Sequence, residues 1–172
     1  MQLPVFKEGT MLKAIITVAD FGTMTFELFP DKAPVTVTNF AQVANSGFYD
    51  GLAFCRIVKG YVIQAGSSDN DIMTDSDFHI VGEFSDNGYP TGIDHRRGAI
   101  SMARDDAPDT AGTQFFIVHQ DAHKLDGCYA AFGYMLTGFE VLDMLADLKT
   151  SGSDTWNRPL VLPIIQAISV GT

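Results

Sequence analysis

The apolar residues of this chain come in short runs separated by turn-forming residues, and this punctuation constrains the fold more than any other feature. Five central runs, LAFCRIV, YVIQAG, GAISMA, TQFFIVH and YAAFGYML, each have Gly, Asp, Asn or Pro close to their ends. Many short apolar runs bounded in this way are typical of the strands of a barrel or a sandwich. The sequence therefore predicts a mainly β fold.

The runs at both ends of the chain also have β character. KAIITVAD and TMTFELFP meet at a turn formed by residues 20–22, which end in a glycine, and such a pair predicts a hairpin. In the second run Met24, Phe26 and Leu28 alternate with other residues, so the strand has one apolar face. The tail PLVLPIIQAISV is interpreted as a closing strand.

Two segments have the spacing of helices. Pro34 opens a segment in which apolar residues recur every three or four positions until Gly47, and proline and glycine are frequent at these two ends of a helix. A second helix is predicted from Phe139 to Leu148. Residues 1–10 are interpreted as an N-terminal extension and residues 11–172 as a single domain, because no internal repeat or low-complexity linker divides them.

The charge and the cysteine content exclude several classes of protein. The formal net charge is -10, whereas nucleic acids and anionic membranes bind clustered Lys and Arg. Cys55 and Cys128 are too few for a disulfide framework or a four-cysteine metal site. No apolar run reaches the length of a membrane span, and the start MQLPVFKEGT lacks the regions of a signal peptide. We expect a cytoplasmic monomer without nucleic-acid or membrane partners.

Other chemical signals are weak. His119 and His123 lie four residues apart, but at a predicted strand end and loop with no third ligand, so we predict no metal site. The acidic residues at 69–77 lack the glycine and the terminal glutamate of a calcium loop. No G-x-S-x-G motif is present, which argues against a hydrolase of that type.

Three blocks of sequence resemble the motifs of the cyclophilin family, in the family's order and close to its spacing. The first, FCRIVKGYVIQAG at 54–66, resembles F-H-R-V-x-x-G-F-x-x-Q-G-G. The second combines GAISMA at 98–103 with GTQFFI at 112–117, and the third combines LDG at 125–127 with YAAFG at 129–133. One block would be a weak signal, but three together are specific.

The resemblance extends from about Lys13 to Val170 and implies both a fold and an activity. The implied fold is a closed eight-stranded antiparallel barrel capped by two α-helices, with a peptide groove on its outer face. The implied activity is that of a peptidyl-prolyl cis-trans isomerase of the bacterial single-domain kind, without metal or cofactor. Its partners would be proline-containing peptides and unfolded or flexible protein segments.

The resemblance makes Arg56 the central catalytic residue. Rotation about an X-Pro bond is opposed by a barrier of roughly 20 kcal/mol, because it breaks amide resonance. The twisted amide regains a lone pair on nitrogen, and a fixed cationic donor stabilises that state more than either planar form. A guanidinium suits this role, since it stays protonated and has several donors in one plane. The alternative is an arginine in a surface salt bridge.

The remaining site residues are also assigned by the resemblance. Gln64 and Phe116 join Arg56 as catalytic residues, and Gln64 and Gln114 would bind the substrate backbone through their amides. The proline ring would rest on an apolar seat, and Ala103 and Arg104 would line the groove as a short strand edge. The residues of the seat and its rim are Tyr61, Val62, Phe116, Leu125 and Tyr129.

Several substrate-binding positions depart from the family pattern. Cys55 replaces a histidine, which predicts modestly reduced activity, and Arg56 beside it could lower the thiol pKa enough for redox sensing. Lys124 replaces a tryptophan, which predicts weak cyclosporin binding because lysine has no indole. Arg104 replaces asparagine, so a side-chain contact there is in doubt. Tyr61 and Tyr129 keep a ring where Phe and His are usual.

Two other functions remain possible at this point. A proline-peptide-binding or chaperone-like module would keep the groove with reduced catalysis, and Cys55 favours that interpretation. A barrel that binds a small ligand in its interior is disfavoured, because large aromatic side chains are expected to fill the interior.

Overall fold

The structure is a computed structural model that describes residues 7 and 9–172 of the chain. It contains eight β-strands and two α-helices: β1 Leu12–Val18, β2 Gly22–Leu28, α1 Pro34–Asn45, β3 Phe54–Val58, β4 Val62–Ala65, β5 Ala99–Met102, β6 Phe115–Val118, β7 Ala131–Thr137, α2 Phe139–Ala146 and β8 Ile165–Gly171. The predicted extension at 1–10 falls largely on residues 1–6 and 8, which lie outside the described residues.

All eight strands belong to one antiparallel sheet, in the order β3-β4-β6-β5-β7-β2-β1-β8. The predicted hairpin is confirmed, since β1 pairs with β2 from Leu12 opposite Leu28 to Val18 opposite Gly22. Both predicted helices are confirmed as well. Among the described residues, no helix is long and apolar enough to cross a membrane.

The prediction of a closed barrel is wrong, because the curled sheet stays open between its edge strands β3 and β8. Within the described part of the chain, the two edges meet only through an isolated bridge between Ala53 and Ile164 and a few backbone hydrogen bonds. Pro163 has no N–H to continue a ladder, although its carbonyl accepts from Phe54 N at 3.2 Å. The mainly β architecture with two helices is confirmed.

Aromatic rings fill the space between the sheet and α1. Phe115 on β6 is fully buried. It makes edge-to-face contacts with Phe40, Tyr49 and Phe54, at centroid distances of 5.4, 5.3 and 6.1 Å. Such pairs add to the stabilisation from buried area. Because residues alternate along a strand, Phe116 points to the other face of β6 and belongs to a second, outer cluster.

A buried glutamate takes the place of a side-chain cap at the start of α1. Ala33 precedes the helix and provides no capping side chain. Glu83 instead accepts hydrogen bonds from the backbone N and the Oγ1 of Thr36, both at 2.6 Å. This contact ties the loop before β5 to the helix and satisfies an amide that the helix leaves unpaired.

We expect Glu83→Ala to lower the free energy of unfolding by about 2 kcal/mol, because two buried donors of Thr36 lose their acceptor. Denaturant unfolding measures this change. Glu140→Ala is the matched control, since Glu140 is exposed in the first turn of α2. Equal effects of the two substitutions would contradict the structural role of Glu83.

Candidate active site

A β-bulge in β3 directs Arg56 to the outer face of the sheet. Phe54 pairs with Ala65 and Arg56 with Gln64, so the register shifts at Cys55. Phe54 and Ile57 are therefore both buried in the main core, while the side chain of Arg56 lies on the opposite face. Bulges often redirect a side chain next to a functional site.

A relay of amide hydrogen bonds orients the guanidinium. Arg56 Nη1 donates to Gln64 Oε1 at 3.3 Å, and Gln64 Nε2 donates to Gln114 Oε1 at 2.9 Å. Gln114 Nε2 in turn donates to the carbonyl oxygens of Ile72 and Thr74, at 3.2 and 3.0 Å. Because two carbonyls fix the orientation of the last amide, each donor and acceptor in the relay is determined.

Arg56 has a buried donor that is not used. Its Nε is buried and has no hydrogen-bond acceptor among residues 7 and 9–172. Buried donors are almost always paired in folded proteins, so each exception calls for an explanation. Arg56 itself lines an open groove, so a ligand there lies next to a guanidinium that makes one side-chain hydrogen bond among the described residues.

The apolar part of the site is a cluster separate from the main core. Val62 on β4, Phe116 on β6 and Leu125 form its centre, with Tyr61 and Tyr129 packed against them. The rings of Phe116 and Tyr129 meet edge to face at 5.8 Å. Adjacent strands and one loop therefore provide a rigid apolar surface next to Arg56.

These residues line a groove of about 230 Å³, which we call the Arg56 groove. Nine of the predicted site residues line it, namely Arg56, Tyr61, Val62, Gln64, Ala103, Arg104, Phe116, Leu125 and Tyr129. Gln114 lines a neighbouring cavity of about 60 Å³ that shares Gln64, Ile72, Ala103 and Arg104 with the groove. Cys55 and Lys124 are not among the residues that line either space.

Two residues that the sequence did not predict, Ile72 and Trp156, complete the lining of the Arg56 groove. Both lie in loops outside the three motif blocks. Ile72 belongs to the acidic segment 69–77, which lacks the features of a calcium loop. Trp156 is the only tryptophan of the chain, and an isolated tryptophan in a polar loop is the signal that could have identified it.

Arg104 is held in place by the rim of the groove. Its Nε and Nη2 donate to the carbonyl oxygen of Cys128 at 3.0 and 2.7 Å. Its guanidinium carbon also lies 4.9 Å from the ring centre of Phe84 and 4.7 Å from that of Tyr129. Arginine at this position therefore fastens Tyr129 and the 128 loop to β5, which asparagine is too short to do.

Cys55 and Lys124 occupy other environments. The Cys55 side chain is only 2% exposed. Burial raises the pKa of its thiol, so the hypothesis that Arg56 lowers this pKa is wrong. The ammonium of Lys124 lies 4.4 Å from the ring centre of Tyr61, where it covers one edge of the apolar cluster.

Behind Phe116 lies a polar triad in which His95 and Ser101 are buried and Asp126 is partly exposed. The ring of His95 stacks on Phe116 at 5.9 Å. His95 Nδ1 lies 3.0 Å from Asp126 Oδ1, and Nε2 lies 2.9 Å from Ser101 Oγ. His95 and Ser101 are both fully buried, so this arrangement exposes no nucleophile and supports the floor of the groove instead.

We expect the free energy of unfolding to rise with pH just below pH 6.5. Burial lowers the pKa of His95 below its ordinary value of 6.5, against the opposing effect of Asp126. Between the lowered pKa and 6.5 the unfolded chain binds more protons than the folded one, so stability falls as the pH falls through this window. The hydrogen bond to Asp126 raises the pKa of His123, which acts with the opposite sign.

Denaturant unfolding across about pH 5 to 8 measures this dependence. His95→Asn removes the titrating group and should flatten the slope, while His123→Asn should steepen it. An unchanged slope in His95→Asn would show that another group is responsible.

Solved structures place this architecture in the cyclophilin-like class. The crystal structure of a cyclophilin type peptidyl-prolyl cis-trans isomerase from Cryptosporidium parvum matches with a TM-score of 0.85. The match has 29% identity and covers 95% of this chain and 99% of that one. The same relative in the presence of the dipeptide Ala-Pro matches with a TM-score of 0.83 and 30% identity, over 93% of this chain and 99% of that one.

Sequence comparison identifies the family. The model of the family described as cyclophilin type peptidyl-prolyl cis-trans isomerase/CLD matches residues 13–170. Peptidyl-prolyl cis-trans isomerase B of Bacillus subtilis (strain 168) is 40% identical over 139 residues, which cover 77% of this chain and 94% of that protein. The chain belongs to the cyclophilin-type peptidyl-prolyl cis-trans isomerase family, which confirms the resemblance predicted from the three motif blocks.

Proposed function

We propose that the chain catalyses cis-trans rotation about X-Pro bonds, with Arg56 stabilising the twisted prolyl amide over the apolar cluster of the Arg56 groove. The observation that carries this proposal is the guanidinium of Arg56, which is oriented by Gln64 and lines the same groove as the apolar residues Val62, Phe116 and Leu125. Family membership and a relative's structure in the presence of Ala-Pro support proline as the ligand.

The proposed step makes and breaks no covalent bond. In the planar amide the nitrogen lone pair is delocalised into the carbonyl, and rotation returns it to the nitrogen. A donor that is already fixed next to this nitrogen stabilises the twisted state without reorganising. Arg56 is fixed by Gln64, and a peptide that covers the groove would strengthen the interaction by excluding water.

The apolar cluster would hold the proline ring while the residue before it turns. Val62, Phe116 and Leu125 have the shape and the low polarity to bind a pyrrolidine ring. Their rigidity matters, because rotation about the X-Pro bond requires the proline ring to stay fixed while the preceding residue turns. Gln64 and Gln114, joined by a 2.9 Å hydrogen bond, present further amide groups to a peptide backbone.

The substrates would be proline-containing peptides and unfolded or flexible segments of proteins. An X-Pro bond in a folded core cannot enter an open surface groove, whereas a flexible segment can. Uncatalysed isomerisation takes tens of seconds or longer and limits some folding reactions, so a folding catalyst has a clear role.

One observation favours a second function, a proline-peptide-binding or chaperone-like module with reduced catalysis. At position 55 a thiol that is 2% exposed stands where the family pattern has histidine, so this position offers the groove no polar group. Such a module would bind the same peptides with little acceleration of rotation.

An isomerase assay on a short X-Pro peptide, coupled to a protease or followed by NMR exchange, distinguishes the two functions. Catalysis should accelerate rotation at protein concentrations well below that of the peptide. Peptide binding without acceleration would support the module instead. Weak cyclosporin binding, owing to Lys124, remains a prediction, as do the monomeric state and the cytoplasmic location.

A further inference from the structure

Trp156 reaches the Arg56 groove from a loop that the three motif blocks do not include. It lies between α2 and β8, and its side chain is 54% exposed. It lines the groove together with Arg56 and Ile72. The exposed indole gives a ligand in the groove a large and rigid apolar surface.

The backbone at this position is unusual for a tryptophan. Trp156 has φ 59° and ψ 26°, the left-handed conformation, at the end of a short 3-10 turn. Glycine or asparagine is usual there, and a bulky side chain with positive φ is a rare exception. Asn157 follows with φ 52°. A tryptophan retained where a smaller residue would fit better points to a use for the ring.

The loop is fastened to the strand that carries Arg56. The carbonyl oxygen of Asn157 accepts from Ile57 N at 3.0 Å, one residue beyond Arg56. Asn157 N donates to the carbonyl of Gly152 at 2.9 Å, and Arg158 donates to the carbonyl of Asn70. These bonds hold the loop next to β3, and Trp156 and Arg56 line the same groove.

Ile72 and Trp156 differ from the other apolar residues of the groove. Val62, Phe116 and Leu125 are buried in the outer cluster, and Tyr61 packs against it. Ile72 and Trp156 belong to neither of the two clusters found among the described residues. Their apolar surfaces are not committed to the fold and remain free for a ligand.

We propose that Trp156 is a specificity-determining residue that selects substrates with a large apolar side chain next to the proline. This inference rests on the proposed isomerase function. The proline ring occupies the outer cluster, and the adjacent side chain lies against the indole and Ile72. An aromatic or large aliphatic residue buries this surface, whereas alanine leaves most of it in water.

Four peptides of equal length test the proposal, with Phe or Ala placed either before or after a single proline. We expect kcat/KM to be about tenfold higher for the Phe peptide than for the Ala peptide at one of the two positions. A roughly tenfold difference is the usual effect of one additional apolar contact. In Trp156→Asn the Phe-to-Ala ratio should fall toward one. Asparagine tolerates the left-handed backbone, so the loop conformation is kept.

Two further variants control for the ring and for the loop. Trp156→Phe keeps an aromatic ring and should retain part of the preference. Leu160→Ala removes another exposed apolar side chain of the same loop that does not line the groove, and it should leave the ratio unchanged. Because the chain has one tryptophan, its fluorescence reports peptide binding directly, and the Phe peptide should shift the emission at lower concentration than the Ala peptide.

The outcomes separate this inference from the proposed function. A Phe-to-Ala ratio in Trp156→Asn equal to that of the wild type overturns the role of Trp156, even if catalysis depends on Arg56. A rate that does not depend on Arg56 overturns the proposed mechanism. Without any isomerase activity, the fluorescence titration still tests the preference, and equal affinities for the Phe and Ala peptides would refute it.

Discussion

Replacing Arg56 by alanine should lower kcat/KM for a proline peptide by about 100- to 1,000-fold, the usual loss when one preorganised donor is removed from an active site. Two cationic side chains, Arg56 and Arg104, line the groove among the described residues. The donors of Arg104 bind backbone carbonyls, so the guanidinium of Arg56 is the one that can serve a substrate. The protease-coupled or NMR-exchange assay measures the change.

The matched controls distinguish charge from geometry. Arg56→Lys keeps the charge but loses the planar set of donors, so it should recover only a small part of the lost activity. Arg56 makes one side-chain hydrogen bond, to Gln64, so the free energy of unfolding should change by less than about 1 kcal/mol. Wild-type activity in Arg56→Ala would refute the mechanism.

Phe115→Ala should lower the free energy of unfolding by about 3 to 5 kcal/mol, because it leaves a large cavity at the centre of the aromatic core. The ring is fully buried and contacts three other aromatic rings edge to face. This is a large part of the stability of a single domain. Denaturant unfolding measures the loss, and kcat/KM at low temperature should stay close to wild type.

Phe116→Ala is the matched neighbour of that substitution. Phe116 is adjacent on the same strand but faces the Arg56 groove, so its removal should chiefly reduce kcat/KM and cost less stability than the loss of Phe115. If the two substitutions had the same effects on both stability and catalysis, the assignment of the two faces of β6 would be wrong.

The sequence predicted those features that depend on local patterns. Alternation in β2 and the turn at Gly22 predicted the hairpin, and the family resemblance predicted nine residues of the groove lining, eight of them within the three motif blocks. The closed barrel was wrong because closure depends on backbone pairing between residues far apart in the chain. Pro163 interrupts that pairing, and no periodicity in the tail indicates where the interruption falls.

The environments of Cys55 and Trp156 could not be predicted from the sequence for a similar reason. The bulge at Cys55 is defined by its register against β4, which alternation along β3 does not indicate. Trp156 reaches the groove because Asn157 binds Ile57 about a hundred residues earlier in the chain. Motifs identify residues that a family shares, whereas Trp156 is contributed by a loop outside them.

The gap between the edge strands β3 and β8 also has a consequence for aggregation. An exposed strand edge offers a row of unpaired amides onto which a second chain can add, the usual route to aggregation. Along β3 the amides of Phe54 and Ile57 are instead occupied by the carbonyls of Pro163 and Asn157. The segment before β8, which keeps the barrel from closing, therefore occupies the free edge of β3. It prevents a strand of another chain from pairing with the strand that carries Arg56.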